Sequence, residues 1–577
     1  MSDQGPPRAR VVRVLPAVSA IGRAFDYLVP QGWELGVGSR VRVPLNGRRV
    51  AGWVLQDVEG QPADVELKPL AGTGGMGPPP CVVELAAWAA WRWAGPMVPL
   101  LTSGSPDRVV VGLQQPPPRG SARPPRPDDP LVGLATQATM RVGEPTLILV
   151  SPTTDQIGVV EATISSVEGP VLVLVPDGGW AARLSKRLEA RGHLVASRWE
   201  HAAAGWPVVV GTRRAAFAPL PKIGAAVVLD CHDPSYREQR SPQFDATEVV
   251  AQRARRDDAP CLLTSAAPAL AQMATANVVK GPALQRGWPA IAVIDRRGAD
   301  PRTSLYSSEM ISIARSARGR VVMVLDRRGG ARLLACASCG ELVRCETCGQ
   351  ALQEVAANLR CERCAVQRPK VCAPCGGLAL KVLRFGAAKA RDDLEALLGE
   401  EVGEVTGASA LEAPGNRVLV GTQALLHRVR EAEVVAFMDF DQHLLGAHLN
   451  ASQNALGLLA RAARLVGARV RRSGMLVVQT RMPEHEVLVS ATKGEPDALY
   501  EKEMLLRKEL GLPPFGALAE VRGAEAGAFC ASSGLESSRL REDRFLVSAP
   551  DHRSLCDALA RANRAYSARV VVDPPWV

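Results

Sequence analysis

The distribution of apolar residues divides the chain into segments of different predicted structure. Residues 11–60 alternate apolar and polar positions in short runs that Gly and Pro interrupt, which predicts a small β-rich domain. The segment 81–95 has apolar spacing suited to a helix that closes this domain. We therefore predict a β-rich first domain over residues 1–102. A linker rich in Pro, Arg and Asp follows over residues 103–140.

Two blocks of continuous apolar runs follow the linker. Runs that are apolar on both faces and separated by helix-length polar segments are typical of buried parallel strands. The runs of the first block are 146–150, 171–175, 206–210, 225–229 and 261–264, and those of the second are 320–325, 416–422, 434–440 and 474–480. We predict a multidomain α/β protein whose parts are a first lobe (141–300), a second lobe (301–335 and 376–490), an inserted Cys-rich module (336–375) and a C-terminal α+β domain (491–577).

Composition and charge restrict the class of protein. The 577 residues carry a net charge of +10, which favours a polyanionic partner such as nucleic acid. No apolar run reaches the roughly 18 residues of a membrane span, and the N-terminal segment lacks the apolar core of a signal peptide. We therefore expect a cytoplasmic protein with no membrane partner.

The cysteines form the strongest chemical signal in the sequence. Of 13 cysteines, eight lie within residues 336–375 as four Cys-x2-Cys pairs. Each pair presents two thiolates to one ion, and zinc takes four ligands in a tetrahedron, so eight thiolates make two closed, structural Zn²⁺ sites. An iron–sulfur cluster is the alternative. The predicted ligands are Cys336, Cys339, Cys345, Cys348, Cys361, Cys364, Cys372 and Cys375.

Segments in all parts of the chain resemble those of one bacterial family, the primosomal replication-restart helicase PriA. The similarity extends from about residue 11 to the end. It implies two RecA-like helicase lobes, with a zinc module inserted in the second. The resembling segments are GRAFDYLVP (22–30), RVRVP (40–44), GTRRAAFAPLP (211–221), HDPSY (232–236), DRRGGARLLACASCG (326–340) and KELGLPPFG (508–516).

The resemblance also implies individual site residues. The family's first domain captures the 3′ end of a nascent strand, and its contacts would fall at Phe25, Asp26, Tyr27, Gly47 and Lys68. Asp26 would accept a hydrogen bond from the 3′-hydroxyl and Lys68 would pair with a phosphate. The alternative is that the two aromatic residues are core residues of a strand and flank a surface carboxylate. For the zinc module the family's pairing is nested, so the two outer Cys-x2-Cys pairs would share one ion and the two inner pairs the other.

The resemblance fails at the nucleotide-binding motifs. Where the family's phosphate-binding loop has Lys and Ser or Thr, this chain has Ile157 and Gly158, and of the family's Asp-Glu carboxylates only Asp230 is present. The positions of the two finger arginines hold Leu465 and Ala468. We therefore expect a degenerate helicase that does not hydrolyse ATP with Mg²⁺ and is not an enzyme.

The sequence as a whole predicts a replication-restart protein without helicase activity. It would bind branched fork DNA and single-stranded DNA, act as a monomer at the nucleoid and nucleate primosome assembly. Its protein partners would be primosome proteins, the single-stranded-DNA-binding protein and the replicative helicase or its loader. Two alternatives stay open: an active ATP-dependent 3′–5′ DNA helicase with a non-standard nucleotide site, and a zinc-ribbon module for protein interaction.

Overall fold

The structure is a computed structural model that carries side chains. It describes residues 10–18, 22–58, 66–118, 122–281, 284, 287–299, 305–325, 334–355, 357–361, 364, 366–382, 387–405, 414–446, 448–467 and 474–575. The first part of the segment at 326–340, up to residue 333, and the predicted finger position Ala468 lie outside these residues.

The N-terminal domain is a five-stranded antiparallel sheet followed by two helices. Its elements are β1 (Val11–Pro16), β2 (Phe25–Leu28), β3 (Arg40–Leu45), β4 (Arg48–Val58), β5 (Gly72–Gly75), α1 (Pro80–Arg92) and α2 (Val98–Gly104). The strand order is β2-β1-β4-β3-β5. The segment predicted as a closing helix forms α1, with Pro80 at its first turn, where a missing N–H removes no helical hydrogen bond.

The first lobe is a six-stranded parallel sheet with helices on both faces. Its elements are α3 (Pro130–Ala138), β6 (Thr146–Leu149), α4 (Ile157–Ser166), β7 (Val171–Leu174), α5 (Gly178–Glu189), α6 (Trp199–Ala203), β8 (Val208–Gly211), β9 (Ala225–Val228), α7 (Ala246–Arg256), β10 (Cys261–Ser265), α8 (Leu270–Thr275) and β11 (Asn277–Lys280). The strand order is β11-β6-β10-β9-β7-β8. All residues of β6, β7 and β9 are buried, as their continuous apolar runs predict.

The second lobe is also a six-stranded parallel sheet, and a Cys-rich module interrupts it. The lobe begins with β12 (Ala290–Asp295), α9 (Ser308–Ser316) and β13 (Val321–Val324). The module contains β14 (Leu334–Cys336), β15 (Leu352–Val355), β16 (Asn358–Cys361), β17 (Gln367–Pro369) and β18 (Leu380–Val382). The lobe resumes with α10 (Ala387–Leu398), β19 (Val402–Val405), β20 (Val418–Gly421), α11 (Leu425–Arg428), β21 (Val434–Phe437), α12 (Asp441–Leu444), α13 (Ala451–Gly467), β22 (Met475–Thr480) and α14 (Glu486–Lys493). The strand order is β12-β22-β21-β13-β20-β19.

The C-terminal domain is a four-stranded antiparallel sheet with helices. Its elements are α15 (Asp497–Glu509), β23 (Ala517–Arg522), α16 (Ala526–Ser533), β24 (Glu536–Arg541), β25 (Arg544–Ala549), α17 (His552–Ala562) and β26 (Arg569–Val572). The strand order is β24-β25-β23-β26. This is the α+β arrangement predicted from the sequence.

The structure differs from the predicted boundaries at two points. Strand β12 lies within the range assigned to the first lobe, but it pairs in parallel with β22 of the second. Helix α3 lies within the predicted linker, and its residues Leu131 and Ala135 belong to the apolar core of the first lobe. Both elements are short, and which sheet or core they join depends on partners distant in sequence.

None of the helices in the described part of the chain has the length and apolar character that a membrane span requires.

A buried arginine joins three of the domains. Arg92, at the end of α1, is only 4% exposed and donates hydrogen bonds to Glu248 at 2.6 and 3.0 Å and to Asp573 at 2.9 Å. Glu248 lies on α7 of the first lobe, and Asp573 follows β26 of the C-terminal domain. Burial by itself would raise the pKa of Asp573, but Arg92 and His552 hold it well below its usual range. The N-terminal domain, the first lobe and the C-terminal domain therefore meet at one charged group.

We expect Arg92→Met to destabilise the protein by about 3–5 kcal/mol, because Asp573 and Glu248 lose their cation while the side-chain volume is kept. Arg10→Met is the matched control. Arg10 pairs with Asp57 on the surface of the N-terminal domain, and exposed pairs are worth less than about 1 kcal/mol. Urea unfolding of the full chain measures both variants. Equal shifts for the two would contradict a joining role for Arg92.

Candidate metal, DNA-end and interlobe sites

The eight clustered cysteines form two groups of four. Cys336, Cys339, Cys372 and Cys375 form one group, and Cys345, Cys348, Cys361 and Cys364 form the other. This is the nested pairing that the resemblance implies. In each group the Sγ atoms all lie within 4.8 Å of one another. Closest Sγ–Sγ distances are 3.5 and 3.6 Å in the first group and 3.4 Å in the second. Four thiolates about 2.3 Å from a tetrahedral zinc ion lie roughly 3.8 Å apart, so both groups fit the metal.

Tight turns in the backbone position the cysteines. The N–H of Gly340 donates to the carbonyl of Cys336 at 3.0 Å, and the N–H of Gly349 donates to the carbonyl of Cys345 at 2.8 Å. These glycines have φ of +76° and +73°, in the left-handed region where a side chain is strained. The glycine after each of these Cys-x2-Cys pairs is therefore part of the ligand geometry.

The Cys-rich module packs against the second lobe. Ala335, Leu342 and Ala351 of the module form a small apolar cluster with Leu445, which follows α12, and Met482 packs against this cluster. The module thus has a fixed apolar contact with the lobe that it interrupts.

In the N-terminal domain, the predicted DNA-end residues lie on two faces of a strand. Asp26 on β2 is opposite Arg13 on β1, and Arg13 donates to both carboxylate oxygens, at 2.8 and 3.0 Å. Tyr27 points to the other face, is 4% exposed and donates from its hydroxyl to the carbonyl of Pro44 at 3.4 Å. Phe25 lies against the same core as Tyr27. The two aromatic side chains therefore have structural contacts, whereas Asp26 pairs with an arginine of the neighbouring strand.

The other two predicted DNA-end residues, Lys68 and Gly47, lie at different distances from β2. The carbonyl of Lys68 accepts the N–H of Leu28 at 3.0 Å, so this lysine lies beside the end of β2, and it is exposed. Gly47, with φ of +75°, lies in the turn between β3 and β4, and β3 is separated from β2 by two strands. The structure thus brings Lys68 next to β2 and places Gly47 farther from β2, across the sheet.

A cleft of about 490 Å³ lies between the two lobes. On the side of the first lobe it is lined by the loop from β6 to α4 and by α5, and on the side of the second by the segment after α11 and by α13. The predicted degenerate residues Ile157 and Gly158 open α4. A Cβ on Gly158 would overlap Oδ2 of Asp129, because α3 packs closely here. A Ser or Thr at this position would require the Asp129 side chain to move.

The surviving carboxylate, Asp230, is buried and engaged by several partners. Its Oδ1 accepts hydrogen bonds from Nε2 of Gln156 and from Nη2 of Arg464, both at 2.7 Å. Its own N–H donates to Oγ1 of Thr264 at 3.1 Å. Arg464 belongs to α13 of the second lobe and also lies over the ring of Trp180, 4.8 Å from its centroid.

A second arginine of the same helix crosses the cleft one turn earlier. Arg461 donates to Asp177 at 2.7 Å and to Asp233 at 3.3 Å, both in the first lobe. Burial would raise the pKa of Asp233, but Arg461 keeps it below its usual range. Burial and the neighbouring Arg461 lower the pKa of His427, which keeps this imidazole neutral at neutral pH. We call the five residues Arg461, Arg464, Asp177, Asp230 and Asp233 the interlobe clasp.

Sequence reasoning missed the interlobe clasp. Arg464 lies near a finger-arginine position but out of register with it, and Arg461 belongs to no predicted site. The available signal was the spacing of three between these arginines on an otherwise apolar helix, which puts both on one face. Their acidic partners come from two separate loops of the other lobe, so no local pattern connects them.

Comparison with known proteins supports the interpretation of the domains. Residues 13–106 match the model of the PriA 3′DNA-binding domain. The chain is 26% identical over 387 residues to the replication restart protein PriA of Haemophilus influenzae, covering 60% of this chain and 53% of the relative. The chain is 27% identical over 406 residues to the Synechocystis protein of the same name, covering 61% of this chain and 49% of the relative. The probable replication restart protein PriA of Mycobacterium bovis is 30% identical over 359 residues, covering 58% of this chain and 54% of the relative. The chain spans about half the length of the curated relatives it matches.

Solved structures of helicases match about two thirds of the chain at low similarity. Saccharomyces cerevisiae Dbp5 bound to RNA and ADP BeF3 is 13% identical, with a TM-score of 0.35, covering 64% of this chain and 89% of the other. The DEAH/RHA helicase HrpB of Escherichia coli is 14% identical, with a TM-score of 0.32, covering 64% of this chain and 44% of the other.

The expectation that this chain is not an enzyme is wrong. The matched relatives belong to the PriA family of ATP-dependent DNA helicases, and this points to an enzyme. Ile157 and Gly158 are departures from the family's motif, yet a cleft of nucleotide size is still present between the lobes.

The order of the domains agrees with the proteins that the chain matches. The N-terminal sheet lies in the region that matches the 3′DNA-binding domain, two lobes with six-stranded parallel sheets follow, and the second contains two groups of four cysteines. The chain is similar to PriA-type replication restart proteins, in its N-terminal domain and over about 60% of its length.

Proposed function

We propose that this protein acts in replication restart by recognising abandoned forks and nucleating primosome assembly. The observation that carries this proposal is the 3′DNA-binding domain over residues 13–106, together with the curated replication restart relatives. The net charge of +10 supports binding to the phosphates of branched and single-stranded DNA. Primosome proteins, the single-stranded-DNA-binding protein and the replicative helicase or its loader are the partners we propose.

The proposed pocket for a 3′ end is built around Asp26 and Lys68. The Asp26 carboxylate is held in a fixed orientation by the two hydrogen bonds from Arg13, and each oxygen retains a lone pair for a ribose hydroxyl. Lys68 is exposed beside the same strand, so its ammonium can reach a terminal phosphate. Tyr27 has its role in the core, and we do not assign it to base stacking.

The two four-cysteine groups are proposed to hold one Zn²⁺ each. Four thiolates leave no open coordination position, so the metal would stabilise the module and take no part in hydrolysis. This role agrees with the small size of the module, whose own apolar core consists of a few residues.

A second candidate function is ATP-dependent 3′–5′ helicase activity with a non-standard nucleotide site. It is favoured by the position of the cleft, at the C-terminal ends of parallel strands where α/β sheets bind ligands. Arg183 and Arg187 of α5 and Arg430 of the second lobe line this cleft, so it carries guanidinium groups, although Arg187 is paired with Asp155 at 2.6 Å. Oδ1 of Asp230 accepts hydrogen bonds from Arg464 and Gln156, so this oxygen would have to exchange these partners before it could bind Mg²⁺.

One assay separates the two candidates. Fork binding and ATP hydrolysis are measured on the same preparation, with unmodified protein and with Asp230→Ala. Hydrolysis that rises with fork DNA and disappears in Asp230→Ala supports the helicase. Fork binding that weakens steeply with salt supports the DNA-binding role, because each phosphate contact releases counterions. Absence of fork binding at low salt would contradict the proposed function.

Elemental analysis tests the metal proposal. We expect two zinc equivalents per chain, because both four-cysteine groups have the spacing that tetrahedral zinc requires. Cys345→Ser should reduce the content to one equivalent and lower the stability of the module, whereas Cys261→Ser, in the core of the first lobe, should leave two. Bound iron, or one equivalent in the unmodified protein, would contradict the assignment.

A substitution at Asp26 tests the end pocket. We expect Asp26→Asn to weaken binding to forks with a free 3′-hydroxyl by about 10-fold or more, since a hydrogen bond to a charged acceptor is worth about 1.5–3 kcal/mol. Forks with a 3′-phosphate should lose less. Asp57→Asn is the matched control, because Asp57 is also paired with an arginine on this sheet. Equal losses on both kinds of fork would make Asp26 a structural partner of Arg13 only.

A further inference from the structure

The interlobe clasp brings two cations of one helix to three carboxylates of the opposite lobe. Asp230 and Asp233 have side chains only 2% exposed, and that of Arg461 is 9% exposed. Arg464, at 17%, is partly covered by the Trp180 ring. Such groups are stable inside a protein only while their partners remain in place, because an unpaired buried charge is strongly unfavourable.

Neutral contacts surround the ion pairs and continue the interface. The N–H of Leu270, in the first lobe, donates to Oε1 of Gln453 on α13 at 3.0 Å. Nε of Arg461 also donates to the carbonyl of Leu426 at 3.1 Å, which fixes the guanidinium within its own lobe. Arg461 is thus oriented before it meets the carboxylates, and this lowers the entropic cost of closure.

A close approach between the backbone of the second lobe and a side chain of the first completes the contact. A Cβ on Gly467, the last residue of α13, would overlap Cγ2 of Thr153 in the first lobe. Thr153 is held in place because its hydroxyl donates to the carbonyl of Gly287 at 2.8 Å. Glycine at position 467 is what allows the two lobes to come this close.

The clasp lies in the cleft where a nucleotide would bind. Asp177, Arg461 and Arg464 are all lining residues of the 490 Å³ cleft. An anion that enters must compete with the carboxylates for the guanidinium groups. A cation that enters must compete with the guanidinium groups for the carboxylates. The charges of the clasp that could bind a ligand are therefore neutralised by each other across the cleft.

We propose that the interlobe clasp is an autoinhibitory contact that holds the two lobes closed without a ligand. Release of Arg461 and Arg464 from their carboxylates opens the cleft and frees the charges that line it. Closure of the lobes is thereby set by the protein's own ion pairs, and a ligand that acts in this cleft acts by replacing them. The closed state requires neither ATP hydrolysis nor DNA, so it does not depend on the proposed function.

Hydrogen–deuterium exchange of the full chain tests this proposal without any activity assay. The readout is exchange in peptides that cover the loop 151–156, α5 and α13, with and without Mg-ATP. In the unmodified protein we expect these peptides to be protected already without nucleotide. In Arg461→Gln/Arg464→Gln we expect their exchange to rise by tenfold or more. Arg417→Gln is the matched control, since Arg417 pairs with Glu400 inside the second lobe, and it should leave these peptides unchanged.

Gly467→Ala opens the same interface while keeping every clasp charge. Its methyl group displaces Thr153, so exchange in the loop 151–156 should rise even though both arginines are present. This variant keeps the proposal testable if the double variant does not fold. Fork binding by the same preparations reports on the proposed function separately. Protection that appears only after Mg-ATP is added to the unmodified protein would overturn the clasp. So would a folded Arg461→Gln/Arg464→Gln variant with unchanged exchange.

Discussion

The buried guanidinium of Arg92 is the interaction on which the arrangement of the domains depends. It contacts a carboxylate of the first lobe and a carboxylate of the C-terminal domain from a helix of the N-terminal domain. Around it, one apolar core contains residues of all three domains, among them Trp93, Leu174 and Phe529. A charge at 4% exposure is tolerated only because its partners satisfy it. The N-terminal domain is therefore fixed to the first lobe by packing.

The second lobe is attached by a different kind of contact. Its apolar cores are centred on its own sheet, and one of them includes Ala266, Ala267 and Leu270 of the first lobe. Charged groups also cross to the first lobe through α13. Apolar interfaces resist opening over their whole area, whereas an ion-pair interface opens once its pairs are exchanged for others. The molecule thus joins three domains through one apolar core and a buried arginine, and joins the second lobe to them through a smaller apolar contact and the interlobe clasp.

The Cys-rich module is organised mainly by contacts within itself. Its ligands are supplied by tight turns that close on themselves, with glycine in the left-handed region directly after the second cysteine of the pairs that end at Cys339 and Cys348. Such a unit needs little from the rest of the chain except two points of attachment, β14 and β18, which pair with each other. A self-contained unit of this kind can interrupt the second lobe without disturbing the parallel sheet around it.

Local patterns in the sequence were sufficient for much of this structure. Continuous apolar runs such as 146–150 and 171–175 determine buried parallel strands, because burial on both faces requires apolar residues at every position. The Cys-x2-Cys spacing determines the metal groups, because both ligands of a pair come from one turn. Strand β11 is short and partly exposed and lacks such a run, so only pairing with β6 made it part of a sheet. Strand β12 has an apolar run, but only its pairing with β22 decided which lobe it joins. The interlobe clasp and the Arg92 contacts depended wholly on tertiary structure. Their partners lie up to 481 residues apart, and the sequence around a charged residue does not indicate which distant residue of opposite charge it will pair with.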